Sequence, residues 1–101
     1  MNKLEYFNKL KWHAHPAIKL LAHHQAIIFF NNGYGASVIT GKMFYTDEKH
    51  PYELAVLKKD KKGISHICYD THLTDDVLGY LTAEDVDRLL REIEKLPKED
   101  E

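Results

Sequence analysis

The sequence has little cysteine and no long apolar run, and each shortage excludes a class of protein. Cys68 is the only cysteine in 101 residues, which excludes an internal disulfide and the multi-thiolate zinc sites. The longest apolar run, residues 26–30, is far shorter than the roughly 18–20 residues that cross a membrane. No apolar stretch of signal-peptide length follows the charged N-terminal residues. We therefore expect a cytoplasmic protein with no membrane association.

Motifs that carry enzymatic chemistry are also missing. The sequence contains no G-x-S-x-G, P-loop, H-E-x-x-H or C-x-x-C. Gly33 and Gly35 form a G-x-G, but a strand pattern follows it rather than a helix whose N-terminus would hold phosphate. The seven histidines include His13-x-His15 without the three or four ligands that zinc usually takes. We expect a protein that is not an enzyme and has no cofactor or metal.

What the sequence does contain is, first, a strong signal for a β-hairpin. Asn32-Gly33 lies between the apolar segments 25–30 and 36–40. Asn-Gly between two such segments predicts a type I′ turn, because both central residues of that turn need a positive φ. Gly35 follows the turn directly, where a bulge or the close approach of another backbone is expected.

A second hairpin is predicted from residues 52–57 and 64–69. The lysine-rich segment 58–63 connects these two strands, and its turn chemistry differs from that of Asn-Gly. Apolar and polar residues do not alternate strictly in either strand, so both faces of the sheet are expected to be partly covered.

The most secure element is an amphipathic helix over residues 82–96. Thr82 is a good N-cap, and carboxylates follow it in the first turn, where the helix dipole favours negative charge. Pro97 ends the helix. The apolar residues that recur at helical spacing are Val86, Leu89, Leu90, Ile93 and Leu96.

These elements predict a single α+β domain over residues 1–101. Its centre is an antiparallel four-stranded sheet, made of the two β-hairpins within residues 25–69, with the C-terminal amphipathic helix packed on it. Residues 1–24 form a variable N-terminal segment in which a short helix over 2–11 is expected. A short helical turn over residues 74–79 precedes the main helix, and residues 97–101 form a flexible tail.

Charge is distributed unevenly along the chain. Residues 1–69 hold ten lysines and five acidic residues, whereas residues 70–101 hold four basic and eleven acidic residues. An acidic face disfavours nucleic acid and attracts a basic protein surface at long range. The alternative is a solvated helix face followed by a solubilising tail. The lysine-rich turn has no interleaved aromatic residues and is typical of an exposed hairpin turn.

Aromatic residues near turns and carboxylates of the acidic third supply the candidate partner-binding residues. Exposed aromatics beside a sheet edge are typical anchors of protein interfaces, although core packing explains many of them equally well. The aspartates before the helix have a local alternative, since they can order turns and favour a first helical turn. The candidates are Tyr34, Tyr45, Tyr69, Asp70, Asp75, Asp76, Tyr80, Glu84 and Asp87.

Four segments also carry a resemblance to a known group. Residues 32–41, 51–57, 69–71 and 73–82 read N-G-Y-G-A-S-V-I-T-G, P-Y-E-L-A-V-L, Y-D-T and L-T-D-D-V-L-G-Y-L-T. Together they resemble a group of small uncharacterised bacteriophage and prophage proteins that share N-G-Y-G-x-S-V-I and a Y-D-T followed by T-D-D-V-x-G-Y-L-T. The resemblance implies a phage accessory gene whose product is made in a bacterial cytoplasm, and by analogy a protein that redirects a host protein.

The leading expectation is therefore a small phage-encoded accessory protein that binds a bacterial host protein with a basic surface and inhibits a host defence system. A small-molecule or metal-binding module, built on the histidines and residues 69–71, is an alternative from another class. A structural role in the virion or in its assembly is a third. An exposed sheet edge would allow self-association in each case.

Overall fold

A computed structural model of the chain describes residues 4–14, 24–40, 49–68 and 78–97. Within these ranges the chain forms one antiparallel sheet of long and short strands, one α-helix and an N-terminal 3-10 turn, Phe7–Lys9. The elements are β1 (His13–Ala14), β2 (His24–Phe29), β3 (Tyr34–Thr40), β4 (Tyr52–Lys59), β5 (Ser65–Ile67), β6 (Leu78–Leu81) and α1 (Ala83–Glu94). No helix in the described ranges is long and apolar enough to cross a membrane.

The predicted α+β fold is confirmed. The hairpins β2–β3 and β4–β5 supply four antiparallel strands, and β3 pairs with β4 from Tyr34–Lys58 to Thr40–Tyr52. Two short strands that the sequence did not predict extend this sheet, because β1 pairs with β2 and β6 pairs with β4. The strand order is therefore β1-β2-β3-β4-β5, with β6 also on β4.

The core lies between α1 and one face of the sheet. Alternate residues of the three central strands point toward the helix, as the period of two in a strand requires. The fully or nearly fully buried side chains are Ala26, Ala36, Val38, Leu54 and Val56 from the sheet and Val86, Leu90 and Ile93 from α1. The apolar stripe that predicts the helix is therefore the surface that the helix buries.

β5 and β6 lie on the same edge of β4. β5 is opposite Leu57 to Lys59, and β6 is opposite Tyr52 and Leu54, so the two strands are collinear. The helical turn predicted over residues 74–79 is wrong at its end, since Gly79 belongs to β6. The reason is tertiary, because Leu78 and Leu81 pack against the core. Residues 74–77 lie outside the described part.

The two hairpin turns share one geometry, although their residues differ. In the first, the N–H of Gly33 donates to the Phe30 carbonyl at 3.2 Å, and Gly33 has φ +87°. In the second, the N–H of Gly63 donates to the Asp60 carbonyl at 3.0 Å, and Gly63 has φ +83°. Asn31 and Asn32 have no positive φ, so the predicted type I′ turn is wrong. Both turns are three-residue loops that end in a left-handed glycine.

The N-terminal helix predicted over residues 2–11 is reduced to the 3-10 turn Phe7–Lys9. The N–H of Leu10 still donates to the Phe7 carbonyl, but Leu10 itself is extended, with φ −68° and ψ 134°. Its side chain is buried in the core cluster, and Phe7 packs against the same cluster. The helical conformation therefore ends at Leu10, and the side chain of Leu10 packs in the same core cluster as the buried residues of α1.

Both ends of α1 are capped. At the N-terminus, the Thr82 side chain accepts from the N–H of Asp85 at 3.1 Å, and the Asp85 carboxylate accepts from the N–H of Thr82 at 3.0 Å. At the C-terminus, the Asn32 amide donates to the carbonyls of Ile93 and Leu96 at 2.8 and 2.9 Å. It also donates to the carbonyl of Glu94 at 3.1 Å. The first hairpin turn thus supplies a donor to carbonyls in the last turn of the helix and just beyond it, where backbone donors are few.

Asn32→Asp is expected to lower the free energy of unfolding by about 2 kcal/mol, because it removes the donor and puts a carboxylate at the negative end of the helix dipole. The Asp oxygen would still accept from the N–H of Tyr34, as the Asn32 oxygen does at 3.0 Å, so the turn itself is kept. Asn31→Asp is the matched control on the exposed neighbour. Urea denaturation compares the two, and equal stabilities would contradict the capping role.

Candidate functional site

The corner between β6 and α1 presents the most unusual residue of the described chain, Tyr80. Leu78 and Leu81 of β6 pair with Leu54 and Tyr52 of β4. Two residues of β6, Gly79 and Tyr80, therefore lie opposite one residue of β4, Glu53. This is a β-bulge, and bulges at sheet edges re-aim a side chain. Tyr80 sits in it with φ +55° and 55% of its surface exposed.

Folding alone does not explain this conformation of Tyr80. It is the one non-glycine residue with a positive φ in the described ranges. The left-handed conformation costs a non-glycine residue about 1–2 kcal/mol, and an aromatic side chain does not make the local hydrogen bonds that favour asparagine there. Burial of the ring would offset that cost, yet more than half of the residue is exposed. Strain of this kind is found preferentially at functional sites.

Glu84 lies four residues after Tyr80, in the first turn of α1, and is exposed. The neighbouring carboxylate, Asp85, is engaged in the cap and is 3.6 Å from the Arg88 guanidinium. The hydrogen bond from the Thr82 N–H holds the pKa of Asp85 below its ordinary value. The contribution of the Asp85 carboxylate to stability is therefore present above its unfolded-state pKa. This contribution is lost as the pH falls through the lowered pKa of the folded state. Glu84 is the carboxylate of this corner that remains available.

Asp87 is not on the outer face of α1, which corrects its prediction as a partner-binding residue. It is only 6% exposed. Its Oδ1 accepts from the N–H groups of Tyr6 and Phe7, both at 2.8 Å, and its Oδ2 is 3.2 Å from the Arg91 guanidinium. Asp87 therefore anchors the N-terminal segment to the helix.

Tyr34 is also buried, at 7% exposure, and the prediction that it lies on an exposed surface is wrong. It begins β3 on the face toward α1 and belongs to the core cluster. The ammonium of Lys58 lies 5.6 Å from the centroid of its ring. Core packing, which the sequence analysis gave as the alternative for the aromatics, accounts for this tyrosine.

The other five candidates lie outside the described residues. They are Tyr45, Tyr69, Asp70, Asp75 and Asp76. Of the nine candidates, the structure therefore leaves Tyr80 and Glu84 exposed, four residues apart where β6 leads into α1, and assigns two others to the interior.

The outer face of α1 is of mixed charge rather than acidic. Arg88 and Arg91 are exposed on it, between the carboxylates of Glu84 and Glu94. Glu94 accepts a hydrogen bond from the Tyr6 hydroxyl, and this bond raises the pKa of that tyrosine. Within the described part of α1, exposed carboxylates and guanidinium groups therefore share the outer face, and the uniformly acidic surface expected of this helix is absent from it.

A metal site has no support in the part of the chain that the structure describes. No group of three or more histidine, cysteine, aspartate or glutamate side chains is close enough there to hold a metal ion. Cys68, predicted as a buried thiol, is 7% exposed and so buried as predicted.

The sequence analysis missed an apolar surface on the face of the sheet away from α1. Directly paired residues of neighbouring strands point to the same face of a sheet. Phe29 is paired with Gly35, Gly35 with Leu57 and Leu57 with Ile67, so their side chains share this face. Ile27, two residues before Phe29, is on the same face. The signal was the unbroken apolar run 26–30, which makes both faces of β2 apolar. No protein-family model, curated protein or solved structure matches this chain.

Proposed function

We propose that this chain is a non-catalytic, phage-encoded accessory protein that binds a bacterial host protein through the corner formed by Tyr80 and Glu84. The observation that carries the proposal is the exposed ring of Tyr80, held at a positive φ on a β-bulge. A strained backbone whose side chain is more than half exposed is accounted for when the ring is buried in a complex. Inhibition of a host defence system is the biological role we propose for that complex, from the phage context of the resemblance.

The chemistry of the corner favours a basic partner. A tyrosine ring attracts a cation over its face, and the carboxylate of Glu84 adds a charge of the sign that an arginine or lysine prefers. The N-cap of α1 fixes the position of this turn, because Thr82 and Asp85 bond each other's backbone N–H groups. A rigid aromatic anchor beside a fixed carboxylate suits a protein surface that presents a basic side chain.

The test is capture of a host protein from lysate, followed by measurement of its dissociation constant with purified variants. Tyr80→Asn and Glu84→Lys are each expected to weaken binding about tenfold or more, and Tyr80→Phe to retain most of it. Glu92→Lys is the matched control, since it makes the same charge reversal roughly 12 Å further along α1.

Circular dichroism of each variant separates loss of binding from loss of folding. The proposal fails if folded Tyr80→Asn and Glu84→Lys both capture the host protein as well as the natural chain does. It also fails if Glu92→Lys weakens binding as much as Glu84→Lys, because the contact would then be general to the acidic third and not to this corner.

A further inference from the structure

The face of the sheet away from α1 carries an exposed apolar surface, which we call the open-face patch: Ile27, Phe29, Leu57 and Ile67. Ile27 is 45% exposed and Ile67 is 46% exposed, whereas Leu57 forms the buried floor between the strands. The ring of Phe29 lies over Gly35, since a Cβ built on that glycine would come within 2.6 Å of its Cδ1. Apolar side chains of three strands thus form one continuous surface.

The edge of the open-face patch at the second hairpin, which we call its rim, is basic. The ammonium of Lys59 lies 4.4 Å from the centroid of the Phe29 ring, and Lys61 and Lys62 are exposed in the turn that follows. The one carboxylate of this turn, Asp60, is turned toward its own backbone and accepts from the N–H groups of Lys62 and Ile64 at 2.8 and 3.0 Å.

Asp60 is also paired within the second hairpin, where its Oδ2 lies 3.0 Å from Nε2 of His66. The hydrogen bond with His66 holds the pKa of Asp60 below its ordinary value. The negative charge of Asp60 is therefore paired with donors of its own hairpin. The lysines make the adjoining rim positive.

We propose that the open-face patch is a second docking surface, for a protein that presents apolar side chains flanked by carboxylates. The apolar centre supplies burial, and the basic rim supplies charge complementarity to an acidic rim on the partner. This surface has the opposite charge preference from the Tyr80–Glu84 corner and lies on another element, so the two proposals stand or fall separately.

A second copy of the chain fits the patch less well. A two-fold contact between two copies of the patch would join two surfaces of the same charge, so it lacks the charge complementarity that an acidic partner provides. Single-stranded nucleic acid also fits less well, because it needs an open aromatic face for stacking and the face of Phe29 is occupied by Lys59.

The experiment titrates the isotope-labelled full chain with a synthetic peptide of alternating leucine and glutamate, and follows the backbone amide signals by NMR. The proposal expects shifts at Ile27, Phe29, Leu57 and Ile67 but not along α1. Lys59→Glu is expected to weaken peptide binding about tenfold, and Ile67→Ser to weaken it as well. Lys95→Glu, at the end of α1, makes the same reversal elsewhere and is expected to leave binding unchanged.

The comparison probes are the matching leucine–lysine peptide, a single-stranded DNA oligonucleotide and the chain alone at high concentration. Equal or tighter binding of the lysine peptide or the DNA would overturn the proposal, as would absence of shifts with the glutamate peptide. Dimerisation of the chain through the same amides would overturn it in favour of a second copy as the occupant.

Discussion

Gly35→Ala is expected to lower the free energy of unfolding by about 2–3 kcal/mol. A Cβ at this position would overlap the carbonyl oxygen of Ile28 and come within 2.6 Å of the Phe29 ring and 3.0 Å of its Cα. Two of these three atoms are backbone of the neighbouring strand, so a side-chain rotation cannot relieve the contact. Urea denaturation measures the loss.

The control for Gly35→Ala is Gly63→Ala. Gly63 has φ +83°, but a Cβ there would meet nothing within 4 Å. Its cost is therefore only that of a left-handed alanine, about 1 kcal/mol. If Gly63→Ala were as destabilising as Gly35→Ala, the close approach of β2 to β3 at Gly35 would not be the reason for glycine there.

Asp87→Lys is expected to lower the free energy of unfolding by about 3–5 kcal/mol, and so to abolish folding of a marginally stable domain. The substitution removes the acceptor for the N–H groups of Tyr6 and Phe7 and puts an ammonium beside the guanidinium of Arg91. The N-terminal segment would detach from α1, and the buried charge would have no partner. The measurements are thermal melting and the amide spectrum of the segment.

The matched control is Glu84→Lys, the same reversal one turn earlier on α1. Glu84 is exposed, so only its favourable interaction with the helix dipole is lost, about 0.3–1 kcal/mol. Equal stabilities for the two variants would contradict the anchoring role of Asp87. For the same reason a charge-reversed surface variant must leave Asp87 unchanged, because loss of binding there would report loss of structure.

The elements that the sequence predicted well are those specified by neighbours in the chain. The helix needs only the cap at Thr82 and an apolar residue every three or four positions, and both are visible in the sequence. The hairpins need only a turn signal between two apolar segments. Local chemistry of this kind does not depend on the rest of the fold.

What the sequence did not predict depends on distant contacts. Asp87 anchors Tyr6 and Phe7, which lie about eighty positions earlier in the chain. Asn32 caps α1 through carbonyls about sixty positions later. The turn type was wrong because Asn-Gly is compatible with two hairpin geometries, and the pairing of Phe30 with Tyr34 selects the longer loop.

The candidate site was predictable in part. Tyr80 and Glu84 could be named from an aromatic and a carboxylate beside a predicted helix start, and both are exposed. The positive φ of Tyr80 could not be foreseen, because neither β6 nor its bulge opposite Glu53 was predicted from the sequence. In the sequence, the open-face patch showed only as imperfect alternation of apolar and polar residues in the strands. Its exposure could not be predicted, because it depends on which face of the sheet α1 covers.

We infer that the conformation of Tyr80 serves binding and not folding, and the unfolding free energy of Tyr80→Asn decides between the two. Asparagine tolerates the left-handed region, so the variant is expected to be as stable as the natural chain or up to about 1 kcal/mol more stable. The same variant is expected to bind the host protein about tenfold more weakly or worse. A variant destabilised by 1 kcal/mol or more, with binding unchanged, would contradict the claim and make Tyr80 a structural residue.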